Sequence, residues 1–131
     1  MKSVCIIDDD PIYLMLVNRI ISQNKLSDQV TEYANGSDAF ESLKRMSQFG
    51  QKLPDVILLD LNMPIWDGWD FLDEFVKINL PHYPEVYIVS STNDTLEKAK
   101  GMSYPMVKRF IIKPILVNDL VSILGEGNEI G

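Results

Sequence analysis

Short apolar runs alternate with longer amphipathic segments along this chain, and the two kinds of segment predict different elements. Short apolar runs bounded by turn residues predict strands, and a run that is apolar throughout predicts a strand buried on both faces of a parallel sheet. Polar residues interrupt the second run, which is the weakest of the five. The predicted strands are Val4–Ile7, Gln29–Tyr33, Val56–Asp60, Val86–Ser90 and Arg109–Ile112.

The segments between these runs place apolar residues at helical spacing. The first helix has the plainest start, because Asp10 suits the N-cap and Pro11 suits the first helical position. We expect this helix to reach about Asn24, and Pro105 prevents the fourth helix from running on. The apolar residues that mark the five helices are Ile12, Met15, Leu16 and Ile20; Phe40, Leu43 and Met46; Phe71, Leu72, Phe75 and Val76; Leu96 and Ala99; and Leu116, Leu120, Ile123 and Leu124.

Strands that alternate with helices in this way predict an α/β fold. The connections are expected to be right-handed crossovers, which place helices on both faces of a parallel sheet. Such doubly wound sheets bind ligands in the crevice beyond the carboxyl ends of their strands. Candidate functional residues are therefore sought at those ends.

Length, charge and cysteine content narrow the class of protein. A chain of 131 residues with 46% hydrophobic residues is enough for one domain with a proper core. The net charge of −7 argues against a nucleic-acid partner, whose phosphates require a basic surface. A single cysteine, Cys5, excludes a disulfide framework. The apolar run Val4–Ile7 is too short for a signal peptide or a membrane span, so we expect a cytoplasmic protein without a membrane partner.

Polar residues stand at the carboxyl ends of four predicted strands. The first strand runs into three consecutive aspartates, which repel one another unless a cation joins them. Because the carboxyl ends of parallel strands share one edge of a sheet, all these side chains are expected to converge. They are Asp8, Asp9 and Asp10 after the first strand, Asp60 at the end of the third, Ser90 and Ser91 at the end of the fourth, and Lys113 after the fifth.

Each of these residues has an ordinary explanation when it is taken alone. An acidic triplet before a helix is usually a solvated turn with one N-cap, and a lone strand-end serine or lysine is usually exposed or satisfied. Together they fit one chemistry: oxygen ligands for Mg²⁺, a carboxylate that attacks phosphorus, and a hydroxyl and an ammonium around a phosphoryl group. The pattern predicts that the acidic triplet holds Mg²⁺ and that Asp10 caps the helix.

Four motifs, in this order, resemble the receiver domain of two-component response regulators, especially single-domain regulators of the chemotaxis type. They are IIDDDP, VILLDLNMPIWDG, IVSS and FIIKP, and the resemblance runs from Val4 to about Leu124. It implies a flavodoxin-like doubly wound sheet of five parallel strands in the order 2-1-3-4-5. It also implies a receiver domain at 1–125 and a short tail at 126–131, with no output domain.

The resemblance assigns chemical roles to residues of this chain. Asp60 matches the aspartate that accepts the phosphoryl group, and Lys113 matches the family's lysine beside it. Asp8 and Asp9 match the acidic pair that binds Mg²⁺, Asp9 directly and Asp8 through water. The backbone carbonyl of Asn62 completes the protein ligands together with Asp60.

The resemblance also implies how such a protein signals. Ser90 matches the switch hydroxyl, and Phe110 matches the aromatic residue that turns inward on activation. A histidine kinase or a phosphotransfer protein is the expected phosphodonor. The face built from the fourth helix, fifth strand and fifth helix is expected to bind a downstream protein. The chain is then a switch with self-catalysed phosphoryl acceptance and slow autodephosphorylation, not an enzyme in the usual sense.

Two other functions are compatible with parts of the pattern. Asp8 and Asp10 have the spacing of the nucleophile and acid in haloacid-dehalogenase-like phosphatases, although that family usually has Gly or Thr where this chain has Pro11. This alternative leaves Asp60 unexplained. A phosphorylation-independent interaction module is the second alternative, but it does not account for the presence of every key residue.

Overall fold

The chain folds around a five-stranded parallel sheet in the order β2-β1-β3-β4-β5, which confirms the predicted fold class. The computed structural model describes residues 1–125, and the predicted tail 126–131 lies outside the described residues. The strands are β1 Val4–Ile7, β2 Val30–Tyr33, β3 Val56–Leu59, β4 Glu85–Ser90 and β5 Val107–Ile112. The helices are α1 Pro11–Gln23, α2 Gly36–Gln48, α3 Gly68–Phe75, α4 Thr95–Met102 and α5 Val117–Leu124.

The register of the strands brings their carboxyl ends level with one another. Ile7 of β1 pairs with Leu59 of β3, and Leu59 pairs with Ile88 of β4. At the far side of the sheet, Ser90 of β4 pairs with Ile112 of β5. The residues that follow β1, β3 and β5 therefore emerge at one edge of the sheet, as the sequence predicted.

Side chains on the two faces of the sheet form two separate apolar cores. Along β1, Val4 and Ile6 belong to one core, and Cys5 and Ile7 belong to the other, which is the alternation of a pleated strand. Helices α1 and α5 cover the first core, and α2 and α3 cover the second. Helices cover both faces of the central strands, so a ligand can reach the sheet only at its edges. The candidate site residues lie at the edge formed by the carboxyl ends of the strands.

Strand β5 begins at Val107, two residues before the predicted start at Arg109. The register shifts here, because Val86 pairs with Val107 while the next residue, Tyr87, pairs with Arg109. Lys108 is therefore an extra residue in the ladder, as in a β-bulge. The two basic side chains interrupt the apolar run and conceal the start of the strand in the sequence.

Within residues 1–125, no helix combines the length and the apolar character that crossing a bilayer requires.

Gly68, the first residue of α3, packs directly against the strand end that carries Asp60. A Cβ atom at Gly68 would lie 2.5 Å from the Asp60 carbonyl oxygen and 3.0 Å from Leu61 Cα. Both neighbours are backbone atoms, so they can move aside only if the end of the strand shifts, which destabilises the fold. We expect Gly68→Ala to lower the free energy of unfolding by about 1–3 kcal/mol in urea titrations. Gln48→Ala, at an exposed helix position, is the control, and an equally small effect of both changes would contradict the close approach.

Candidate phosphoryl and metal site

Backbone hydrogen bonds continue the sheet ladder for one residue beyond the strands and fix the site residues in place. The Asp60 amide donates to the Ile7 carbonyl at 2.9 Å, and the Lys113 amide donates to the Ser90 carbonyl at 2.8 Å. The Asp8 amide donates to the end of β2 at 3.0 Å. The side chains at these positions are thus held by the sheet and not by mobile loops.

Three carboxylates meet at this edge. Asp8, Asp9 and Asp60 each offer an oxygen, and these oxygens lie within 4.8 Å of one another. Asp8 is 1% exposed and Asp60 is 6% exposed, while Asp9 faces solvent. Buried carboxylates at this separation repel one another strongly, so the site favours binding a cation.

Lys113 supplies one positive charge to this cluster. Its Nζ lies 2.9 Å from Asp8 Oδ2 and 3.6 Å from Asp60 Oδ1. Partial burial alone would lower the pKa of the ammonium, but the short contact with Asp8 and the charge of Asp60 outweigh it and raise the pKa of Lys113. Lys113 therefore stays protonated and joins the end of β5 to the ends of β1 and β3.

The environment of Asp60 favours its protonated form more than water does. Burial, followed by the negative charge of Asp8, raises its pKa from 3.8 to about 6. Lys113 and the backbone amides of Leu61 and Asn62 act in the opposite direction and limit the rise. The Leu61 amide donates to Asp60 Oδ1 at 2.9 Å, which also fixes the orientation of the carboxylate.

The raised pKa of Asp60 predicts a pH dependence of stability in the metal-free protein. Between pH 3.8 and about 6, the folded chain binds a proton that the unfolded chain does not. The free energy of unfolding should therefore rise as the pH falls through about 6.

Urea unfolding in EDTA, above and below pH 6, measures this effect against Asp60→Asn as the control. On lowering the pH, wild type should gain up to about 3 kcal/mol relative to the variant. If the difference in the free energy of unfolding between wild type and Asp60→Asn does not change with pH, the pKa of Asp60 is not raised in the folded protein.

The donor set of the cluster fits a hard divalent cation. Oxygen ligands alone, at a partly solvated rim, suit Mg²⁺ better than softer metals. Asp8 Oδ2 is buried and lies 2.9 Å from Lys113 Nζ. A carboxylate oxygen has two lone pairs, so this contact leaves one for a cation or for the water around one. Asn62 lies two residues after Asp60, in the loop that leaves the cluster.

Asp10 has a separate task. Its Oδ1 accepts hydrogen bonds from the amides of Ile12 at 3.0 Å and Tyr13 at 3.4 Å, and it is the N-cap of α1, as predicted. The Asp10 amide also donates to Asp8 Oδ1 at 2.9 Å. Since the Asp10 carboxylate is used by the helix, the structure does not favour its use as the acid of a phosphatase.

The two predicted switch residues lie on the β4–β5 side of the sheet. Ser90 is fully buried at the end of β4, and its Oγ accepts a hydrogen bond from the Thr92 amide at 3.2 Å. Phe110 of β5 is half-buried beneath α4, where a Cβ atom on Gly101 would lie 3.1 Å from Phe110 Cδ2. In this structure Ser90 contacts the loop before α4, and Phe110 contacts α4 itself.

Tyr13 also lies at the site, and the sequence reasoning missed it. Lys113 Nζ lies over its ring, 4.5 Å from the centroid. Tyr13, Val17 and Ile21 form the buried face of α1, at a spacing of four residues. The spacing of four residues could have indicated that Tyr13 is buried, but α1 carries other apolar residues at helical spacing, and these pointed to a different face.

Comparison with known proteins identifies the family. The model of the response regulator receiver domain matches residues 4–125. The chain therefore belongs to the receiver domains of two-component signalling, as the motifs indicated.

Three proteins with related sequences are longer than this chain, which spans very different shares of them. The methanogenesis regulatory protein FilR2 of Methanothrix harundinacea is 25% identical over 96% of this chain, which spans 81% of FilR2. The sensor histidine kinase CheAY of Helicobacter pylori is 34% identical over 63% of this chain, which spans only 10% of CheAY. The rice two-component response regulator ORR26 is 27% identical over 92% of this chain, which spans 19% of ORR26.

Solved structures share the fold over nearly the whole chain. A two-component response regulator from Cytophaga hutchinsonii has a TM-score of 0.83 at 28% identity, with 98% of this chain and 95% of that one covered. The receiver domain of sensor histidine kinase PA1611 from Pseudomonas aeruginosa PAO1 has a TM-score of 0.76 at 19% identity, covering 94% and 93%. That receiver was solved with a magnesium ion in its active-site cleft.

Proposed function

We propose that this chain is a phosphorylation-controlled switch that accepts a phosphoryl group on Asp60. One observation carries the proposal: a buried carboxylate at the end of β3 lies beside two further carboxylates and 3.6 Å from the ammonium of Lys113. These groups can bind a divalent cation and a phosphoryl group at the same place. The receiver unit proposed here is residues 1–125.

The chemical step is an in-line displacement at phosphorus. An Asp60 carboxylate oxygen attacks the phosphorus of the donor, the bond from phosphorus to the donor's leaving atom breaks, and an aspartyl phosphate forms. The Leu61 amide holds Asp60 Oδ1, which orients the attacking group. Lys113 then transfers its interaction from Asp8 and Asp60 to the oxygens of the phosphoryl group.

A bound Mg²⁺ would offset the repulsion among the carboxylates and the charge of the phosphoryl oxygens. In this proposal Asp9 and Asp60 would contact the ion directly, Asp8 would hold it through water, and the Asn62 backbone carbonyl would be a further ligand. The oxygens of Asp8, Asp9 and Asp60, which lie within 4.8 Å of one another, support the assignment. The magnesium ion in the PA1611 receiver is a parallel in a protein of the same fold.

Signal output in this proposal follows from Ser90 and Phe110. The Ser90 hydroxyl donates a hydrogen bond to the phosphoryl group, and Phe110 turns into the space that opens. Both side chains adjoin α4 or its preceding loop, so their movement shifts the population of states of the α4–β5–α5 face. The apolar side chains exposed on this face suit a downstream protein partner; they are Leu96, Ile112, Leu116 and Val117.

A histidine kinase or a phosphotransfer protein is the proposed donor, acting in the cytoplasm. Such donors carry the phosphoryl group on histidine, whose leaving nitrogen is displaced by the Asp60 oxygen. The similarity of this chain to a segment of the sensor histidine kinase CheAY supports this donor class. Water attack on the aspartyl phosphate then resets the switch slowly.

Intact-protein mass after brief incubation with acetyl phosphate tests this function. With Mg²⁺, wild type should gain one phosphoryl group while acetate leaves, and with EDTA in place of Mg²⁺ the gain should be lost. Turnover of p-nitrophenyl phosphate, measured in parallel, separates the switch from a phosphatase.

Steady turnover that depends on Asp8 but survives Asp60→Asn would replace this function with the phosphatase. No uptake from acetyl phosphate or from a histidine-phosphorylated donor would favour the phosphorylation-independent interaction module.

A further inference from the structure

The ammonium of Lys113 has a neighbour that the proposed chemistry does not use. Besides its two carboxylate contacts, Nζ lies 4.5 Å from the centroid of the Tyr13 ring. This distance is within the range of a cation–π interaction, which extends to about 6 Å. Lys113 is therefore bounded by the ends of β1 and β3 and by the first turn of α1.

The ring of Tyr13, and not its hydroxyl, makes this contact. Tyr13 is 9% exposed, and within residues 1–125 its Oη has no hydrogen-bond partner. A buried hydroxyl without a partner costs stability, so the hydroxyl does not explain why this side chain stands here. Burial and the charges of Asp8 and Asp60 raise the pKa of the phenol, which stays neutral.

We propose that Tyr13 is a positioning residue for Lys113, and that its ring holds the ammonium where it can meet the phosphoryl group on Asp60. This inference rests on the proposed function, since it concerns the same phosphoryl step.

An aromatic ring suits this task for an electrostatic reason. Its face attracts a cation without carrying a formal negative charge, so it adds no repulsion to a site that already has three carboxylates. A fourth carboxylate would hold Lys113 equally well, but it would repel the incoming phosphoryl group. An aliphatic side chain would fill the same space without attracting the ammonium.

Tyr13 also belongs to the same apolar core as Val17 and Leu120, so the test has to separate packing from positioning. Tyr13→Phe keeps the ring and removes the unpartnered hydroxyl, whereas Tyr13→Leu keeps only apolar volume. Phe40→Leu is the matched control, because Phe40 is 8% exposed and lies in the opposite core, on α2. It should lower stability without slowing the phosphoryl step.

The first readout is the initial rate of phosphoryl gain from acetyl phosphate with saturating Mg²⁺. Tyr13→Leu should be slower than wild type by roughly three- to tenfold, the range that a partly desolvated cation–π contact gives. Tyr13→Phe should restore most of the rate. Equal rates for Tyr13→Leu and wild type, or an equally slow Tyr13→Phe, would overturn the proposal.

The second readout is a double-mutant cycle with Lys113→Met. If the ring acts through the ammonium, Tyr13→Leu should cause no further slowing in the Lys113→Met background. In urea unfolding of the metal-free proteins, it should likewise cost less stability in that background than in wild type. Additive effects in both measurements would assign Tyr13 to packing alone and overturn the proposal.

The two proposals can fail separately. If wild type takes up no phosphoryl group from any donor, the proposed function fails and the positioning role fails with it. If wild type takes up the group but neither the rate cycle nor the unfolding cycle shows coupling between Tyr13 and Lys113, only the role of Tyr13 fails.

Discussion

The Asp60→Asn variant is expected to take up no phosphoryl group under conditions in which wild type is fully modified. An amide oxygen is a far weaker nucleophile toward phosphorus than a carboxylate, and asparagine also removes a charged ligand from the proposed metal site. The neighbouring Asp8 and Asp9 are not expected to substitute, since Asp8 is buried against Lys113 and both belong to the proposed metal site. Intact-protein mass after incubation with acetyl phosphate and Mg²⁺ measures the result.

Asp28→Asn is the matched control for this loss, because Asp28 is exposed and distant in sequence from every strand end that forms the site. It should take up the group at the wild-type rate. The Asp60→Asn protein should itself be folded, since the change relieves repulsion with Asp8. Uptake by Asp60→Asn at the wild-type rate would place the acceptor on another residue.

Phe71→Ala is expected to have the largest effect on stability. Phe71 of α3 is fully buried, and its ring stacks on Phe75 with centroids 5.0 Å apart. Removing a buried ring forfeits its transfer free energy and leaves a cavity that the sheet cannot close, which together cost about 3–5 kcal/mol. Urea unfolding monitored by circular dichroism should show this decrease in the free energy of unfolding.

Phe49→Ala provides a control with the same chemical change. Phe49 follows α2 and is 74% exposed, so its replacement should alter the free energy of unfolding by no more than about 0.5 kcal/mol. Losses of similar size in the two variants would show that burial of Phe71 is not the source of its contribution.

The central strands could be predicted well because each is a short run of apolar residues, and such a run indicates a strand that is buried on both faces. Val4–Ile7 and Val56–Leu59 are apolar at every position and lie inside the sheet, buried on both faces. No polar residue blurs either run, and an aspartate ends each one. The convergence of Asp8, Asp9 and Asp60 then follows from topology, because parallel strands place their carboxyl ends together.

The buried face of α1 could not be predicted in the same way. Ile12, Met15 and Leu16 marked the helix correctly, but they are 64%, 53% and 48% exposed. Tyr13 and Val17 are buried instead. Apolar residues lie on more than one side of this helix, so periodicity locates the helix without fixing its rotation about the axis.

The contact between Tyr13 and Lys113 could not be predicted either, because it depends on the rotation of α1 about its axis. The two residues are separated by most of the chain, and no local pattern links the first turn of α1 to the end of β5. The rotation of α1 that packs Tyr13 into the core also brings its ring to the ammonium. Only the packed structure shows this pairing.

The hydrogen bond that Ser90 accepts from Thr92 determines how much energy a movement of Ser90 would cost in the proposed switch. Its hydroxyl is engaged by the Thr92 amide at 3.2 Å, the long end of the usual range, and Thr92 Oγ1 in turn accepts from the amide of Asp94, the N-cap of α4. Because Oγ accepts this bond, its O–H is still able to donate, and a movement of Ser90 away from Thr92 costs at most the accepted bond, about 0.5–1.5 kcal/mol. In the proposed switch a charge-assisted bond to the phosphoryl oxygen exceeds this cost, so phosphorylation would draw Ser90 away from the start of α4.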